Sequence, residues 1–387
     1  MIILEHEGRM LLASHGLSIP PGKVVRSSQE AYQTAYEIGG SVVMKVQIPA
    51  GGRMKAGGIL FADTPEAAQT TTAGLLGKSI RSCIVESVLV EQKLDIAREF
   101  FLAVTYDAVL RQPVVLASDE GGIDIEASTR IIRQPFSPVE GFSDYMGREI
   151  ATTLGTDGAA LINLGRIITT LVQRFIAWDA LLLECNPVIL DTDDNLWIAD
   201  VHFEMDDDAA FRQQSLLDAA PESIAWANRR SDFEQQAIEI DRADHRGVAG
   251  RLVTFDGNIG MLIGGGGASL TAMDAVLDAG LKPANYCEIG GNPSVWKIKE
   301  LTKLILSQPQ VDMLVVIMNV VSNTRVDLVA RGVIKGVLEA GKNPAEAIRA
   351  FRIPGSWEDE GFAILEHYGV PYFGRETSID QVVDSLT

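Results

Sequence analysis

Three oxygen-bearing side chains cluster around a predicted β-hairpin. Two apolar runs, Val188–Leu190 and Leu196–Ala199, flank the polar turn D-T-D-D-N, which predicts two antiparallel strands. With the turn at the centre, residues whose numbers sum to 386 face each other, so Asn186 lies opposite Asp200. Glu184 shares their face because strand side chains alternate. Carboxylate and amide oxygens suit Mg²⁺; a solvated hairpin with a structural Asn-Pro is the alternative.

A glycine-rich, basic loop could contact phosphate. Residues 50–58, A-G-G-R-M-K-A-G-G, join two predicted strands, and Arg53 and Lys55 supply positive charge where glycines let backbone N–H groups approach an anion. Lys45 stands just before the loop in an apolar strand, where an unpaired lysine is costly. A mobile surface loop would have the same composition. The loop is not a Walker A motif, because it does not lead into a helix.

Composition limits the class of protein. A chain of 387 residues, 47% hydrophobic and 22% charged, is long enough for two or three domains. A net charge of −19 is poorly suited to nucleic acid or an anionic membrane. The odd, widely spaced cysteines Cys83, Cys185 and Cys287 indicate a reducing compartment and no zinc site. We find no basic leader and no membrane-length apolar run, so we expect a cytoplasmic protein.

The elements that must position the hairpin and the loop fall in the first part of the chain. A long apolar helix, predicted over Gly158–Leu182, is apolar almost all round, so we expect it to be buried and to lead into the hairpin. Residues 206–244 are polar and charged, and we expect surface helices and a linker there, with Asp206–Asp208 as a solvated charge run.

The second part of the chain alternates strands with helices. Three predicted strands each run into a polar or glycine-rich turn and then a helix; the strands are Ile259–Ile263, Tyr286–Ile289 and Met313–Met318. This alternation predicts a doubly wound parallel sheet, whose ligands bind at the carboxyl ends of the strands. Gly290, Gly291 and Asn292 precede a helix start with Pro293 near its first position, which predicts an anion site. A tight turn explains any one glycine pair, but three such turns favour a ligand face.

Six motifs in order identify a family resemblance. They are K-x-Q-x-x-A-G-G-R-x-K-A-G-G, V-E-x-x-x-D-I-A-R-E, E-G-G-I-D-I-E, L-E-C-N-P, D-G-N-I-G and D-L-V-A-R-G. The chain thereby resembles the β subunit of succinate–CoA ligase, and also malate–CoA ligase and the large-subunit part of citryl-CoA synthetase and ATP-citrate lyase. The resemblance implies an α/β architecture: an ATP-grasp domain at 1–235, a linker at 236–247 and a flavodoxin-like CoA-ligase domain at 248–387.

The resemblance assigns roles around a nucleotide. It implies nucleotide contacts at Lys45, Gly52, Arg53 and Met54. It places Glu91, Leu94 and Glu99 around the adenine and ribose. It makes Asn186 and Asp200 the Mg²⁺ ligands, in agreement with the hairpin, and Glu184 the glutamate that steadies a phosphorylated histidine. Pro20 matches a position associated with ATP rather than GTP.

Departures from the succinate-specific pattern concern the acid substrate. Gly264 replaces an asparagine, as in ATP-citrate lyase, and Ser322-Asn323-Thr324 replaces a Gly-Ile-Val loop. The added hydroxyl and amide groups suit an acid richer in acceptors and penalise a plainer one. Arg352 matches a family arginine and could clamp a distal anion. We therefore expect malate, citrate or a sulfonated acid such as sulfoacetate in preference to succinate. Met54 replaces a loop glycine, which could stiffen the loop.

The resemblance also implies a partner. In this family the nucleophilic histidine and the CoA site lie on an α subunit. No histidine of this chain stands in a comparable glycine-rich turn; the histidines of this chain are His6, His15, His202, His245 and His367. We expect an αβ or α2β2 complex, in which the Gly290–Asn292 helix start helps to hold the partner's phosphohistidine.

The predicted function is the Mg-ATP-dependent, ADP-forming ligation of an acid to CoA through an acyl phosphate, with Lys45, Arg53 and Mg²⁺ neutralising charge. An ATP-grasp ligase joining a carboxylate to an amine is a second hypothesis. A nucleotide-binding regulatory or scaffold subunit without catalysis is a third.

Overall fold

The structure is a computed structural model that describes residues 1–121, 130–229 and 231–387. It forms two compact units, Met1–Arg229 and Arg230–Thr387. Residues 122–126, the greater part of the predicted E-G-G-I-D-I-E motif, lie outside the described residues.

The first unit combines strands and helices. Its strands are β1 (Ile2–Ile3), β2 (Gly22–Val25), β3 (Val42–Val46), β4 (Ile59–Ala62), β5 (Ser79–Ile80), β6 (Cys83–Ile84), β7 (Val88–Gln92), β8 (Ile96–Asp107), β9 (Gln112–Ser118), β10 (Ile132–Pro135), β11 (Ala180–Asp191), β12 (Leu196–Ile198) and β13 (Val201–Met205). Its helices are α1 (Glu5–Ala13), α2 (Ser28–Ile38), α3 (Pro65–Leu75), α4 (Asp144–Thr153), α5 (Gly158–Ala177), α6 (Gln214–Asp218) and α7 (Pro221–Ala227), with a 3₁₀ helix at Asp207–Arg212.

Two antiparallel sheets carry the first unit. The larger has the order β1-β13-β11-β8-β9-β10, with β12 on β11, and the smaller has the order β2-β7-β3-β4. Helix α5 packs with the larger sheet in one core, where Phe175 and Leu171 are buried. Among the described residues α5 is the one helix long and apolar enough to cross a membrane, a test that a core helix also passes.

The predicted end of that helix is wrong. Helix α5 stops at Ala177, Asp179 has φ +49°, and β11 begins at Ala180. Leu182 pairs with Thr105 of β8 instead of continuing the helix. The apolar run was ambiguous because a buried helix and a buried strand share the same composition.

The hairpin register agrees with the sequence prediction. Val188 faces Ile198, Ile189 faces Trp197 and Leu190 faces Leu196. Asn186 N–H donates to the Asp200 carbonyl at 3.2 Å, which extends the same register to the predicted pair. The turn therefore determines which side chains meet, as it does in hairpins generally.

The second unit is an α/β domain. Its strands are β14 (Val248–Thr254), β15 (Ile259–Gly264), β16 (Asn285–Gly290), β17 (Met313–Met318) and β18 (Ile348–Arg352). Its helices are α8 (Asp232–Ala243), α9 (Gly267–Asp278), α10 (Val295–Leu306), α11 (Val326–Glu339), α12 (Pro344–Ala347), α13 (Glu358–His367) and α14 (Ile379–Asp384). The sheet order is β14-β16-β15-β17-β18. Strands β16, β15, β17 and β18 are parallel in the flavodoxin-like order, and β14 is an antiparallel edge strand that the sequence did not indicate.

The segment expected to be a linker, 236–247, has a different structure. Helix α8 covers most of it, and Ala237 is buried in the core of the second unit. Its Asp241 pairs with the buried Lys297 of α10 at 2.8 Å. The sequence did not indicate a packed helix here because the composition is mostly polar and only one narrow face of the helix packs inward.

Helix α11 packs closely against α10 at Gly332 and Gly336, and this close contact leads to a prediction about stability. A Cβ at Gly332 would lie 2.6 Å from Ile298 Cβ and 3.0 Å from the Val295 carbonyl oxygen. We expect Gly332→Ala to lower the free energy of unfolding by about 1–3 kcal/mol, because the helices must separate. Denaturant unfolding of the full chain measures it.

The matched control is Gly267→Ala in the first turn of α9, where a Cβ meets nothing within 4 Å. This change should raise stability by about 0.4–1 kcal/mol. Equal effects of the two substitutions would contradict the packing described here.

Candidate active site

Strand β3 places the ammonium group of Lys45 inside the first unit, where the side chain is buried. The ammonium group lies 3.0 Å from Glu5 Oε1 and 2.7 Å from Glu91 Oε1, and it donates to the Ala199 carbonyl at 2.6 Å. Three acceptors therefore meet its three N–H donors. The lysine that the sequence marked as needing a partner is therefore fully paired by groups of the protein.

The glycine-rich loop places Arg53 beside the same group. One guanidinium nitrogen lies 2.5 Å from Glu5 Oε2 and also donates to the Val46 carbonyl at 3.2 Å. The other lies 2.6 Å from Asp200 Oδ1. Gly52 has φ +65°, a conformation that favours glycine, so the loop can turn there and direct Arg53 inward.

The charges of this cluster support one another. Burial by itself would raise the pKa of Glu5, but Arg53, then Lys45 and Arg9, hold it well below its usual range. Burial would lower the pKa of Lys45, but Glu5, Glu91 and Asp200 raise it above its usual value. Glu5 and Lys45 therefore both stay ionised although they are buried.

The hairpin places the predicted metal ligands beside Arg53. Asn186 and Asp200 are joined through the backbone, and the Asn186 amide donates to Glu184 at 3.4 Å. Glu184 pairs across the sheet with His202. Among the described residues no group of three His, Cys, Asp or Glu could enclose a metal ion. Two oxygen donors are what a Mg²⁺ completed by phosphate and water requires from the protein.

Not every predicted nucleotide residue joins the cluster. Glu91 does, through Lys45 and Arg9. Glu99 lies on β8 opposite Ile189, and Leu94 follows β7; no hydrogen bond or ion pair among the described residues connects either to the cluster. Met54 is partly exposed in the loop, at a position without the positive φ that would require glycine.

Sequence reasoning missed two members of the cluster, Glu5 and Arg9. Both are buried on α1, and Arg9 donates to Glu91 and to the Pro20 carbonyl. The only local signal was an acid and a base four residues apart on the same helix. Their charged partners outside that helix are 40 to 82 residues away along the chain, which no local pattern reveals.

The second unit gathers the predicted acid-site residues at one edge of its parallel sheet. Gly264 pairs with Met318, and Ile317 pairs with Arg352, so these carboxyl strand ends are level. Thr324 is buried, whereas Ser322 and Asn323 are exposed in the same turn.

The Gly290–Asn292 turn meets that turn directly. Asn292 N–H donates to the Thr324 hydroxyl at 3.3 Å, and the Asn292 side-chain oxygen accepts from Arg325 N–H at 3.2 Å. Helix α10 begins after its N-cap Ser294, so Pro293 precedes the cap and is not near the first helical position as predicted. The Ser294 hydroxyl donates to Asp244, a carboxylate that the sequence did not place there.

Arg352 is a buried cation of a different kind. Its side chain donates to the Met318 and Thr377 carbonyls, each at 2.7 Å. No carboxylate among the described residues lies within ion-pair distance, and burial lowers the pKa of Arg352, with Glu376 only partly opposing. A buried guanidinium bound only to neutral oxygens is suited to an external anion.

Protein-family profiles match both units. The profile of the ATP-grasp domain matches residues 2–190. The profile described as ATP citrate lyase citrate-binding matches residues 229–385.

Full-length relatives resemble the whole chain. The succinate–CoA ligase [ADP-forming] subunit beta of Methanothermobacter thermautotrophicus is 33% identical over 390 residues, 99% of this chain and 98% of the relative. The [GDP-forming] subunit beta of Thermus thermophilus is 34% identical, covering 98% and 97%. The solved ATP citrate lyase of Methanothrix soehngenii, in complex with citrate and coenzyme A, superposes with a TM-score of 0.70 at 19% identity, covering 100% of this chain and 99% of that chain. At that identity the likeness concerns the fold.

The buried cluster predicts an unusual pH response for Lys45→Met. At about pH 7 the free energy of unfolding of the variant should be about 3–5 kcal/mol lower than that of the wild type, because two buried carboxylates lose a counter-charge. In the wild type the folded pKa of Glu5 lies below its ordinary value of 4.5, so its contribution is present above 4.5 and is lost as pH falls below it. In the variant, protonating Glu5 relieves excess negative charge. The difference in the free energy of unfolding between the wild type and the variant should therefore be smaller at about pH 4 than at about pH 7.

Urea unfolding followed by circular dichroism measures both points. Lys93→Met, at an exposed lysine 5.8 Å from the Phe61 ring, is the control and should change stability little. A gap that stays constant or widens on acidification would show that Lys45 and Glu5 are not coupled.

Proposed function

The chain belongs to the succinate–CoA ligase β-subunit family, and from that membership we propose that it is the nucleotide-binding subunit of an ADP-forming acid–CoA ligase. Its relatives carry the name of CoA ligases, and its first unit has the ATP-grasp fold. The observation that carries the proposal is the convergence of Lys45, Arg53 and Asp200 in one ion-paired cluster beside Asn186.

The donor set of the hairpin fits Mg²⁺. Asn186 and Asp200 would hold the ion, with phosphate and water completing its shell. When bound, the ion supplies charge neutralisation at the ATP phosphates. Arg53 pairs with Asp200 at 2.6 Å, so its guanidinium would lie beside an ion held there and beside the phosphates that complete the shell of that ion.

The protein's own groups act mainly by position and charge. Lys45 and Arg53 bind phosphoryl oxygens, and Glu184 orients a partner histidine that carries the phosphoryl group. The acid is activated as an acyl phosphate, and the CoA thiolate then displaces phosphate to give the thioester. The partner is an α subunit that supplies the histidine and the CoA site in an αβ or α2β2 complex; the names of the relatives as β subunits support it. The Gly290–Asn292 turn contacts that phosphohistidine.

The second unit binds a small polyanionic acid. Arg352 clamps the distal anion, and Thr324, Ser322 and Asn323 meet further oxygens beside Gly264. Arg352 is buried without a carboxylate partner among the described residues, and this, with the match to a citrate-binding profile, supports malate, citrate or sulfoacetate ahead of succinate. The free cysteines, Cys83, Cys185 and Cys287, suit a cytoplasmic location.

Asp200→Asn should abolish CoA-dependent ADP release by the chain purified with its α subunit, because the metal loses its only charged protein ligand. The assay compares malate, citrate, sulfoacetate and succinate. Asp193→Asn at the exposed tip of the same hairpin is the control and should retain turnover. Thioester formation by the isolated chain would refute the partner, and ADP release that needs an amine but not CoA would favour the carboxylate–amine ligase.

Arg352→Gln should raise the KM of the preferred acid at least about 30-fold and leave the KM of ATP unchanged, because a desolvated charge pair is lost. Initial rates over acid concentration measure it. Arg349→Gln, at an exposed arginine on the same strand β18, is the control and should match the wild type. Similar losses in both variants, or a change confined to ATP, would contradict the clamp.

A further inference from the structure

Glu5 occupies the centre of the charged cluster. It is the first residue of α1 and is 3% exposed, and the N-terminal end of the helix dipole favours its negative charge. Its two carboxylate oxygens are divided between two cations: Oε1 lies 3.0 Å from Lys45 and Oε2 lies 2.5 Å from Arg53. One buried carboxylate thus links the lysine of β3 with the arginine of the glycine-rich loop.

We propose that Glu5 is a positioning residue for the nucleotide phosphates, holding the Lys45 ammonium and the Arg53 guanidinium in place before ATP binds. The inference rests on the proposed ATP site. It adds a residue that contacts neither phosphate nor metal but acts through the two groups that contact phosphate.

The physical reason is the cost of burying charge. Lys45 is 5% and Arg53 is 8% exposed, and a buried cation without a counter-ion loses its charge or moves to water. Glu91 cannot replace Glu5, because Glu91 does not reach Arg53 within ion-pair distance among the described residues. Asp200 holds Arg53 but is needed for Mg²⁺. Glu5 is the carboxylate that can stay with both cations when ATP and metal arrive.

Two further side chains, Gln47 and Arg9, orient the carboxylate of Glu5. The Gln47 amide donates to Glu5 Oε2 at 3.3 Å, and Arg9 lies 3.9 Å from Oε1. A carboxylate fixed on a helix and oriented by a neighbouring amide pre-organises its partners at little entropic cost.

Glu7 offers a matched control on the same helix. It is 5% exposed, but its carboxylate accepts the backbone N–H groups of Glu222 and Ser223 at 2.8 and 2.9 Å and contacts no cation of the cluster. It anchors α7 to α1, a role that concerns stability alone.

The test measures ATP affinity of the full chain by calorimetry with and without Mg²⁺, together with thermal unfolding. Glu5→Gln should weaken ATP binding about tenfold in both conditions, within the range of coupling between contacting residues. Glu7→Gln should lower the unfolding temperature and leave ATP affinity at the wild-type value. Glu5→Asp keeps the charge but is too short to reach both cations, so it should show an intermediate loss, and it tests the proposal if Glu5→Gln does not fold.

A double-mutant cycle separates positioning from general damage. In an Arg53→Gln background, Glu5→Gln should weaken ATP binding only about threefold, because Lys45 alone remains of the two cations through which Glu5 acts. A full tenfold effect in that background, or wild-type affinity in both Glu5 variants, would overturn the inference. Absence of ATP binding by the wild-type chain would instead reject the proposed function.

Discussion

The requirement that buried charges be paired governs the first unit. Lys45 on β3 and Arg53 on the loop can be buried as cations because Glu5, Glu91 and Asp200 meet them. Each pair joins a different element, so the pairs define where helix, sheet, loop and hairpin stand relative to one another within this unit. The same pairs place positive charge beside the hairpin oxygens, which is what a metal-bound triphosphate needs.

The second unit contains two buried cations, Lys297 and Arg352, that differ in whether a carboxylate pairs with them. Lys297 is buried against Asp241, whereas the buried Arg352 donates to two carbonyl oxygens and has no carboxylate within ion-pair distance in the part of the chain that the structure describes. A buried cation that already has a carboxylate partner can accept an external anion only by giving up that partner, whereas a cation without one is free of this cost. The contrast within one domain makes Arg352 the candidate anion-binding cation of the second unit.

Much of this was readable in the sequence. The hairpin register followed from the symmetry of its turn, and the ligand edge of the second unit followed from three strand–turn–helix units, because both depend on contacts between neighbours in sequence. The errors lay where local pattern is ambiguous. Leu182 was assigned to a helix although it forms a strand, and α8 was taken for a linker because its apolar face is narrow.

The sequence by itself determined the two α/β units, the loop, the hairpin and the residue types at each strand end, since hydrophobic period and turn chemistry act over a few residues. Only the tertiary structure decided that Glu5 and Arg9 belong to the charged cluster and that Glu91 pairs with Lys45. It also decided that Arg352 lacks a carboxylate partner among the described residues. The reason is that charges are neutralised through space. The residues next to a charged residue in the sequence therefore do not indicate which distant residue will neutralise it.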